Sequence, residues 1–448
     1  MTAPRGPSIA EAGAALRAGR VTAQELLAQC HDRIRAVDGQ VRAVWAVCPQ
    51  AERLAAQADA ELARGQDRGS LHGIPFVIKD MVDVAGLPTT NGSRAADPAP
   101  ADVDAWVVSR LIAAGAVPVA KVATYEWGLV GPEQGLAHPA ATNPWDRAHI
   151  TGGSSSGSAA AVAAGIVRIA VGSDTGGSIR APAAYCGAVG IKPTRGRIPA
   201  DGFFALSPDL DTPGVLAATV HDAALMLQAL MPGADVASGL GAGVRGLTLG
   251  YARDWFADDP ALDRRVLQAI DDAASALSLA GARIVEVPMP DYALMEAVGA
   301  VMIHVEALRL HAASLRARGA LWGRMATQTV QAGAVLTEGD LAAAVALLPS
   351  LTSGVDQALN GCDVLITAVT LTAAPPFAAF DKGAVWTPMR TLPFNVTGHP
   401  ALSVPAGFIG RLPVGLQVIG RHGDEAGILR VAAAFEAATD HGAVPVPL

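Results

Sequence analysis

The sequence predicts an α/β fold: one domain over residues 1–448, built on a central mixed, largely parallel, twisted sheet flanked by helices. Three observations carry this expectation. Short apolar runs rich in β-branched residues alternate with longer amphipathic stretches that have recognisable helix starts. Hydrophobic residues make up 51% of the chain and charged residues 17%, so a large core can be buried. Ala, Gly, Val and Leu dominate while aromatics reach only 4%, which suits helices packed closely on a sheet.

In chain order, Ser8-x-x-Glu11 and Thr22-x-x-Glu25 are two capping boxes. They predict helices over roughly 9–18 and 23–36, the second with Leu26, Leu27, Cys30 and Ile34 on one face. A third helix is expected over about 50–65. Pro75 opens a short strand, Phe76-Val-Ile78, that ends in Lys79, and alternation turns Asp80 to the opposite face. A helix over 104–114, stopped by Gly115, and a strand over 117–121 complete a βαβ unit. Residues 124–149 are irregular and carry Tyr125, Trp127 and Trp145, a candidate substrate wall.

Thr151-Gly-Gly-Ser154-Ser-Ser-Gly-Ser158 has a linker's composition, yet it leads straight into an Ala-rich helix and a strand, Ile166 to Val171. It therefore reads as a structured loop at a helix N-terminus. Further on, a short strand lies within 181–200 and a capped helix runs from Thr219 to Leu230. Strands at 247–251 and 283–287 flank a helix over about 260–280, and 290–360 is mostly helical. Strands at 363–367, 401–404 and 415–419 and a last helix from Asp424 close the chain, with no internal repeat.

The net charge of −8 and the lack of clustered Lys and Arg argue against nucleic-acid and membrane surfaces. No run of about 18 apolar residues reads as a membrane span. Met1-Thr-Ala-Pro-Arg5 leads into no apolar leader segment. Cys30, Cys48, Cys186 and Cys362 are scattered, which suits a reduced cytoplasm. No metal-ligand spacing or cofactor motif occurs. These features predict a cytoplasmic monomer or homodimer that acts on a small molecule without metal or cofactor.

Chemistry concentrates in Gly172-Ser-Asp-Thr-Gly-Gly-Ser178-Ile-Arg180, behind the 166–171 strand. Gly176 and Gly177 let backbone N–H groups converge on one point, as an oxyanion requires. The segment reads as a nucleophile, Ser178, on an oxyanion turn of Thr175, Gly176, Gly177 and Ser178 backbone; taken alone it also fits a glycine-rich turn with a capping serine. Likewise Lys79 is either a buried base or a strand-end lysine that snorkels to water.

Together, Lys79, Ser154 75 residues later and Ser178 a further 24 on resemble the amidase signature family. Gly152-Gly-Ser-Ser-Ser-Gly-Ser158, Gly172 to Arg180 and Cys186-Gly-x-x-Gly-x-Lys-Pro-Thr194 carry the resemblance, which is strongest over residues 71–200, the expected catalytic core. It implies the amidase signature fold and a Ser–cis-Ser–Lys triad: Ser178 the nucleophile, Ser154 the bridging hydroxyl after a cis peptide, Lys79 the base. A lysine is a base only when neutral. Its ordinary pKa of about 10.4 must fall to roughly 7–8, about 4 kcal/mol, which burial alone can supply if no carboxylate touches it. Asp174 and Arg180 read as a supporting ion pair.

The resemblance implies hydrolysis of amides, aryl amides, ureas or carbamates (urethanes), making the chain an aryl acylamidase or urethanase candidate. One branch of the family is instead the amidase subunit of a tRNA-dependent glutamine amidotransferase, which binds partner subunits. In approximate alignment, Thr329 stands where that branch has an arginine and Pro388 where it has an aspartate, which favours a neutral substrate. Tyr125, Trp127, Phe203, Phe204, Trp386 and Met389 are the expected apolar pocket wall. A third reading is an α/β-hydrolase-type esterase: Gly153-Ser-Ser155-Ser-Gly157 matches G-x-S-x-G, but needs a strand before it and an essential histidine among His221, His304, His399 and His422.

Overall fold

The computed structural model describes residues 6–136 and 138–448. The opening five residues, read above for a leader, lie outside that range. The strands are β1 Val44–Val47, β2 Pro75–Lys79, β3 Val117–Val122, β4 Ile169–Asp174, β5 Val189–Lys192, β6 Thr212–Ala217, β7 Thr248–Tyr251, β8 Arg283–Glu286, β9 Val364–Ala368, β10 Ala401–Ile409 and β11 Leu412–Ile419. They form one eleven-stranded sheet in the order β1-β3-β2-β4-β6-β5-β10-β11-β9-β7-β8.

The sheet is mixed, as expected, but its parallel share is smaller than expected. Parallel pairing is confined to β3-β2-β4 and β9-β7-β8. The strands between and outside these blocks pair antiparallel. Two features hidden in the sequence account for the difference. Strand β6 contains Pro213 and Gly214, which read as a turn, yet it fills the place between β4 and β5. The expected short strands 401–404 and 415–419 are parts of one long hairpin, β10–β11, joined across Gly410 and Arg411 and bulged between Pro405 and Gly407. Prolines interrupt the apolar pattern on both arms and conceal its length.

The expected helices form with small changes of boundary: Ile9–Arg17, Ala23–Val41, Ala51–Ala63, Trp106–Ala113, Ser156–Ala163, Val220–Leu230, Arg264–Leu279 and Glu425–Ala438. Both capping boxes are made, with Ser8 accepting from the Glu11 N–H and Thr22 from the Glu25 N–H. The 290–360 segment is three helices, Tyr292–Arg318, Arg324–Ala332 and Glu338–Ala358. No single described helix is long and apolar enough to cross a membrane.

The fold places the candidate chemistry at the carboxyl ends of two adjacent parallel strands. Ile78 of β2 is level with Val171 of β4, so Lys79 ends beside the start of Gly172-Ser-Asp. The helix Ser156–Ala163 sits directly over this junction. Its Gly157 N–H donates to the Ala123 carbonyl at 2.8 Å, just past the end of β3. A Cβ on Gly157 would lie 2.4 Å from Ala123 N and 2.8 Å from Ala43 O, both backbone atoms that cannot swing aside. Gly157→Ala is therefore expected to destabilise the protein by about 1–3 kcal/mol or more. A urea midpoint equal to wild type would contradict this close approach.

Candidate active site

Lys79 has no solvent exposure. Its Nζ lies 2.7 Å from Ser154 Oγ and 2.9 Å from Ser173 Oγ. No carboxylate forms an ion pair with it among the described residues. Burial pushes its pKa down to about 7, against weaker opposing pulls from Asp211 and Asp174. The neighbouring strand carries a second buried lysine, Lys121, and the two are treated oppositely. Lys121 Nζ contacts Asp80 Oδ1 at 2.6 Å and the Pro88 carbonyl at 2.8 Å. Strand alternation sends Asp80 to Lys121 and leaves Lys79 with hydroxyls alone. An unpaired buried ammonium is costly, so its surroundings favour the free amine.

The loop before helix Ser156–Ala163 presents Ser154, and the Gly153–Ser154 peptide is cis, as the family resemblance implies. The Ser154 carbonyl accepts from Tyr125 N–H at 3.1 Å, Thr124 Oγ1 at 3.0 Å and Ser156 N–H at 2.8 Å. Ser155 ties the two serine loops together. Its N–H donates to the Ser178 carbonyl at 3.1 Å and its Oγ to the Ser173 carbonyl at 3.2 Å.

The turn at 174–178 is held from beneath by a fully buried cluster. Arg180 Nη2 and Nε contact the two Asp174 carboxylate oxygens at 2.8 and 3.0 Å. Burial would raise the Asp174 pKa, but the Arg180 guanidinium outweighs it and holds the carboxyl well below its usual range. Arg180 also donates to Gln417 Oε1, Asn395 Oδ1 and the Thr391 carbonyl, while Asn395 Nδ2 returns to Asp174 at 2.9 Å. Thr391 Oγ1 donates to the Gly176 carbonyl at 2.6 Å. Gly177 has φ +131°, and a Cβ there would lie 2.2 Å from Thr391 Oγ1, so only glycine fits.

This cluster corrects one expectation. The Gly177 N–H, expected to face an oxyanion, donates to Asp174 Oδ1 at 2.8 Å. No hydrogen bond within the described residues takes the N–H of Thr175, Gly176 or Ser178. Ser173, Thr391, Asn395 and Gln417 were not singled out in the sequence. Ser173 was readable as a hydroxyl one place before Asp174 in the motif; the others come from more than 200 residues downstream and carry no local signal.

Ser154 and Ser178 open onto a cleft of about 460 Å³, counted out to solvent. Tyr125, Trp386 and Met389 line it, as expected, together with Leu129, Ile150 and Phe380. None of its described lining side chains is charged, and none is a histidine or cysteine, so it offers no metal-ligand set. Trp127, Phe203 and Phe204 do not border it. Trp127 adopts φ 57° in the single turn Glu126–Gly128 and stacks on Trp322 at 5.0 Å, with Phe204 at 5.1 Å. Phe203 packs onto the main core, beside Val82. Thr329 is also away from the cleft, buried with its hydroxyl on the Met325 carbonyl at 2.9 Å.

The Amidase family model matches residues 25–429. The chain belongs to the amidase family. It is 37% identical to a subunit of the glutamyl-tRNA(Gln) amidotransferase of Chloroflexus aggregans, over 97% of this chain and 96% of that one. A crystal structure of an amidase superposes with TM-score 0.87 at 33% identity, covering 96% of this chain and 99% of the other. The native peptide amidase of Stenotrophomonas maltophilia matches with TM-score 0.83 at 30% identity, covering 97% and 98%. As an amidase, the protein is an amidohydrolase acting on C–N bonds.

The esterase reading fails on local geometry. The Gly-x-Ser-x-Gly segment of this amidase follows an irregular stretch, not a strand, and Ser155, the residue before the helix, donates its Oγ–H to the Ser173 carbonyl. His304, His399 and His422 hydrogen-bond to the carbonyl of Thr329 and to Thr397 and Asp356, and neither they nor His221 lines the cleft.

Because the folded pKa of Lys79 lies below the unfolded value, the unfolded chain binds more protons between about pH 7 and 10.5, and stability conferred at this site rises with pH across that window. Lys79→Met is expected to be more stable than wild type at pH 7, with the gain shrinking toward pH 10. Denaturation midpoints at the two pH values test this; an unchanged gap would show that the lysine is not held neutral.

Proposed function

We propose that this amidase hydrolyses a neutral amide, aryl amide or carbamate through an acyl-enzyme on Ser178. The observation that carries the proposal is Lys79, buried among hydroxyls and 2.7 Å from Ser154 Oγ, at a cleft whose walls hold Ser154 and Ser178. Ser178 Oγ attacks the carbonyl carbon while its proton passes to Ser154, whose own proton passes to the neutral Lys79. The oxyanion is received by turn N–H groups left free by the protein, those of Thr175, Gly176 and Ser178. Collapse breaks the C–N bond, and the leaving nitrogen takes a proton from Ser154, which Lys79 replaces. Water then attacks the ester, gives its proton back along the same path, and restores the Ser178 hydroxyl. The Asp174–Arg180–Asn395 cluster holds the turn and takes no part in proton transfer.

The uncharged cleft supports a neutral substrate, since a bound zwitterion would leave its charges unpaired. The second reading is the amidase subunit of a tRNA-dependent glutamine amidotransferase-like complex. It is favoured by the 37% identity, along nearly the whole chain, to subunits of glutamyl-tRNA(Gln) amidotransferases, and it calls for protein partners.

Three measurements test these readings. Ser178→Ala is expected to abolish turnover, and Lys79→Ala to lower kcat about 10²–10⁴-fold. Because the base acts deprotonated, wild-type kcat/KM should rise with pH through about 7 and then level. Near-wild-type rates for Lys79→Ala at neutral pH would remove the lysine from the mechanism. Finally, an anilide, a carbamate and glutamine are compared on the isolated chain. Turnover of the first two supports the neutral-substrate reading; glutamine turnover alone, or only with added partner subunits, supports the second.

A further inference from the structure

Far along the chain from Lys79, Ser154 and Ser178, three ligand-type side chains meet at one end of the β10–β11 hairpin. Asp356 lies near the end of helix Glu338–Ala358, His399 just before β10, and His422 just after β11. One donor atom from each lies within 4.8 Å of the others. His399 is fully buried; Asp356 and His422 are exposed.

Thr397 orients both imidazoles. Its carbonyl is 2.9 Å from His422 Nε2. A carbonyl only accepts, so Nε2 carries that ring's proton and Nδ1 is left with its lone pair. The Thr397 hydroxyl donates its single proton to the Pro393 carbonyl at 3.0 Å. Its oxygen then accepts from His399 Nδ1 at 2.9 Å. With Nδ1 donating to that hydroxyl, His399 Nε2 keeps its lone pair, 3.2 Å from Asp356 Oδ1. A proton or a metal ion shared between the two atoms can bridge that distance.

We infer that Asp356, His399 and His422 form a binding site for a divalent transition-metal cation of the zinc type. Neutral imidazoles and a carboxylate are suited to such an ion, at bond lengths of about 2.0–2.2 Å. Anchoring of the remote ring nitrogens by a backbone carbonyl and a hydroxyl is the outer shell that metal-bound histidines have. The buried His399 is fixed, and the exposed Asp356 and His422 side chains close onto the ion, leaving at least one position for water. The ion would clip the end of helix Glu338–Ala358 to both strands of the hairpin, and none of the three residues lines the cleft of Ser178.

The test uses the full-length chain, stripped with a chelator and titrated with Zn²⁺ alone. One Zn²⁺ per chain is expected to bind, and to raise the melting temperature. Asp356→Ala and His422→Ala change exposed residues, so both should fold, and each should weaken that binding at least tenfold and remove the thermal shift. Co²⁺ in place of Zn²⁺ should give the visible absorption of a low-coordinate nitrogen-oxygen site, lost in the double variant. Equal Zn²⁺ stoichiometry and affinity in wild type and the double variant would overturn the site. So would the absence of any Zn²⁺ binding by the wild type, which would leave Asp356 and His399 as an ordinary hydrogen-bonded pair.

Discussion

A lysine amine with no carboxylate to neutralise it is the constraint on which the site depends. In water Lys79 would carry a charge; at the end of β2 it has no solvent exposure and hydrogen-bonds to the Ser154 and Ser173 hydroxyls. Hydroxyls can donate to a free amine as readily as they accept from an ammonium, so the contact survives loss of the proton. Lys121 shows the other outcome on the adjacent strand. With Asp80 at 2.6 Å it is tied into an ion pair. Two lysines of equal burial thus acquire different chemistry from the side of the strand on which one aspartate falls.

The glycine turn depends on a different balance. Gly177 has a backbone conformation that side chains disfavour, and the N–H groups of Thr175, Gly176 and Ser178 take no acceptor among the described residues. Asp174 takes the N–H of Gly177, and Arg180 satisfies Asp174, so the fixed part of the turn is saturated beneath the surface. Asn395, Gln417 and Thr391 complete the cluster from the carboxyl-terminal third of the chain. A buried ion pair is weak evidence for stability, because desolvation offsets attraction. Its evident use here is positional: each partner has one geometry that satisfies all its hydrogen bonds, and that geometry sets the turn.

The two serine loops and the lysine were legible because each is a local pattern beside a strand or helix whose apolar period is clear. The βαβ unit of β2 and β3, the helix after the serine-rich loop and β4 all follow from such runs, although β4 starts at Ile169 rather than 166. The sheet's antiparallel centre was not legible. Pro213 and Gly214 weaken the strand signal of β6, and prolines divide β10 and β11 into apparent fragments. The aromatic wall was half legible. Tyr125, Trp386 and Met389 reach the cleft, whereas Trp127 is turned away by one left-handed residue, a backbone angle that side-chain type does not reveal.

By itself the sequence determined the class of fold, the loops that carry hydroxyls and the spacing of Lys79, Ser154 and Ser178. Those depend on short-range periodicity, helix caps and glycine placement, all of which act within a few residues. Only the tertiary structure decided which lysine lacks a carboxylate, which amide of the turn is already taken, which aromatics face the cleft and that Asp356, His399 and His422 converge. The lysine pairing and the convergence of Asp356, His399 and His422 join segments distant along the chain that the strand order brings together; the Gly177–Asp174 bond and the turn at Trp127 are local, but rest on backbone angles that residue type does not reveal.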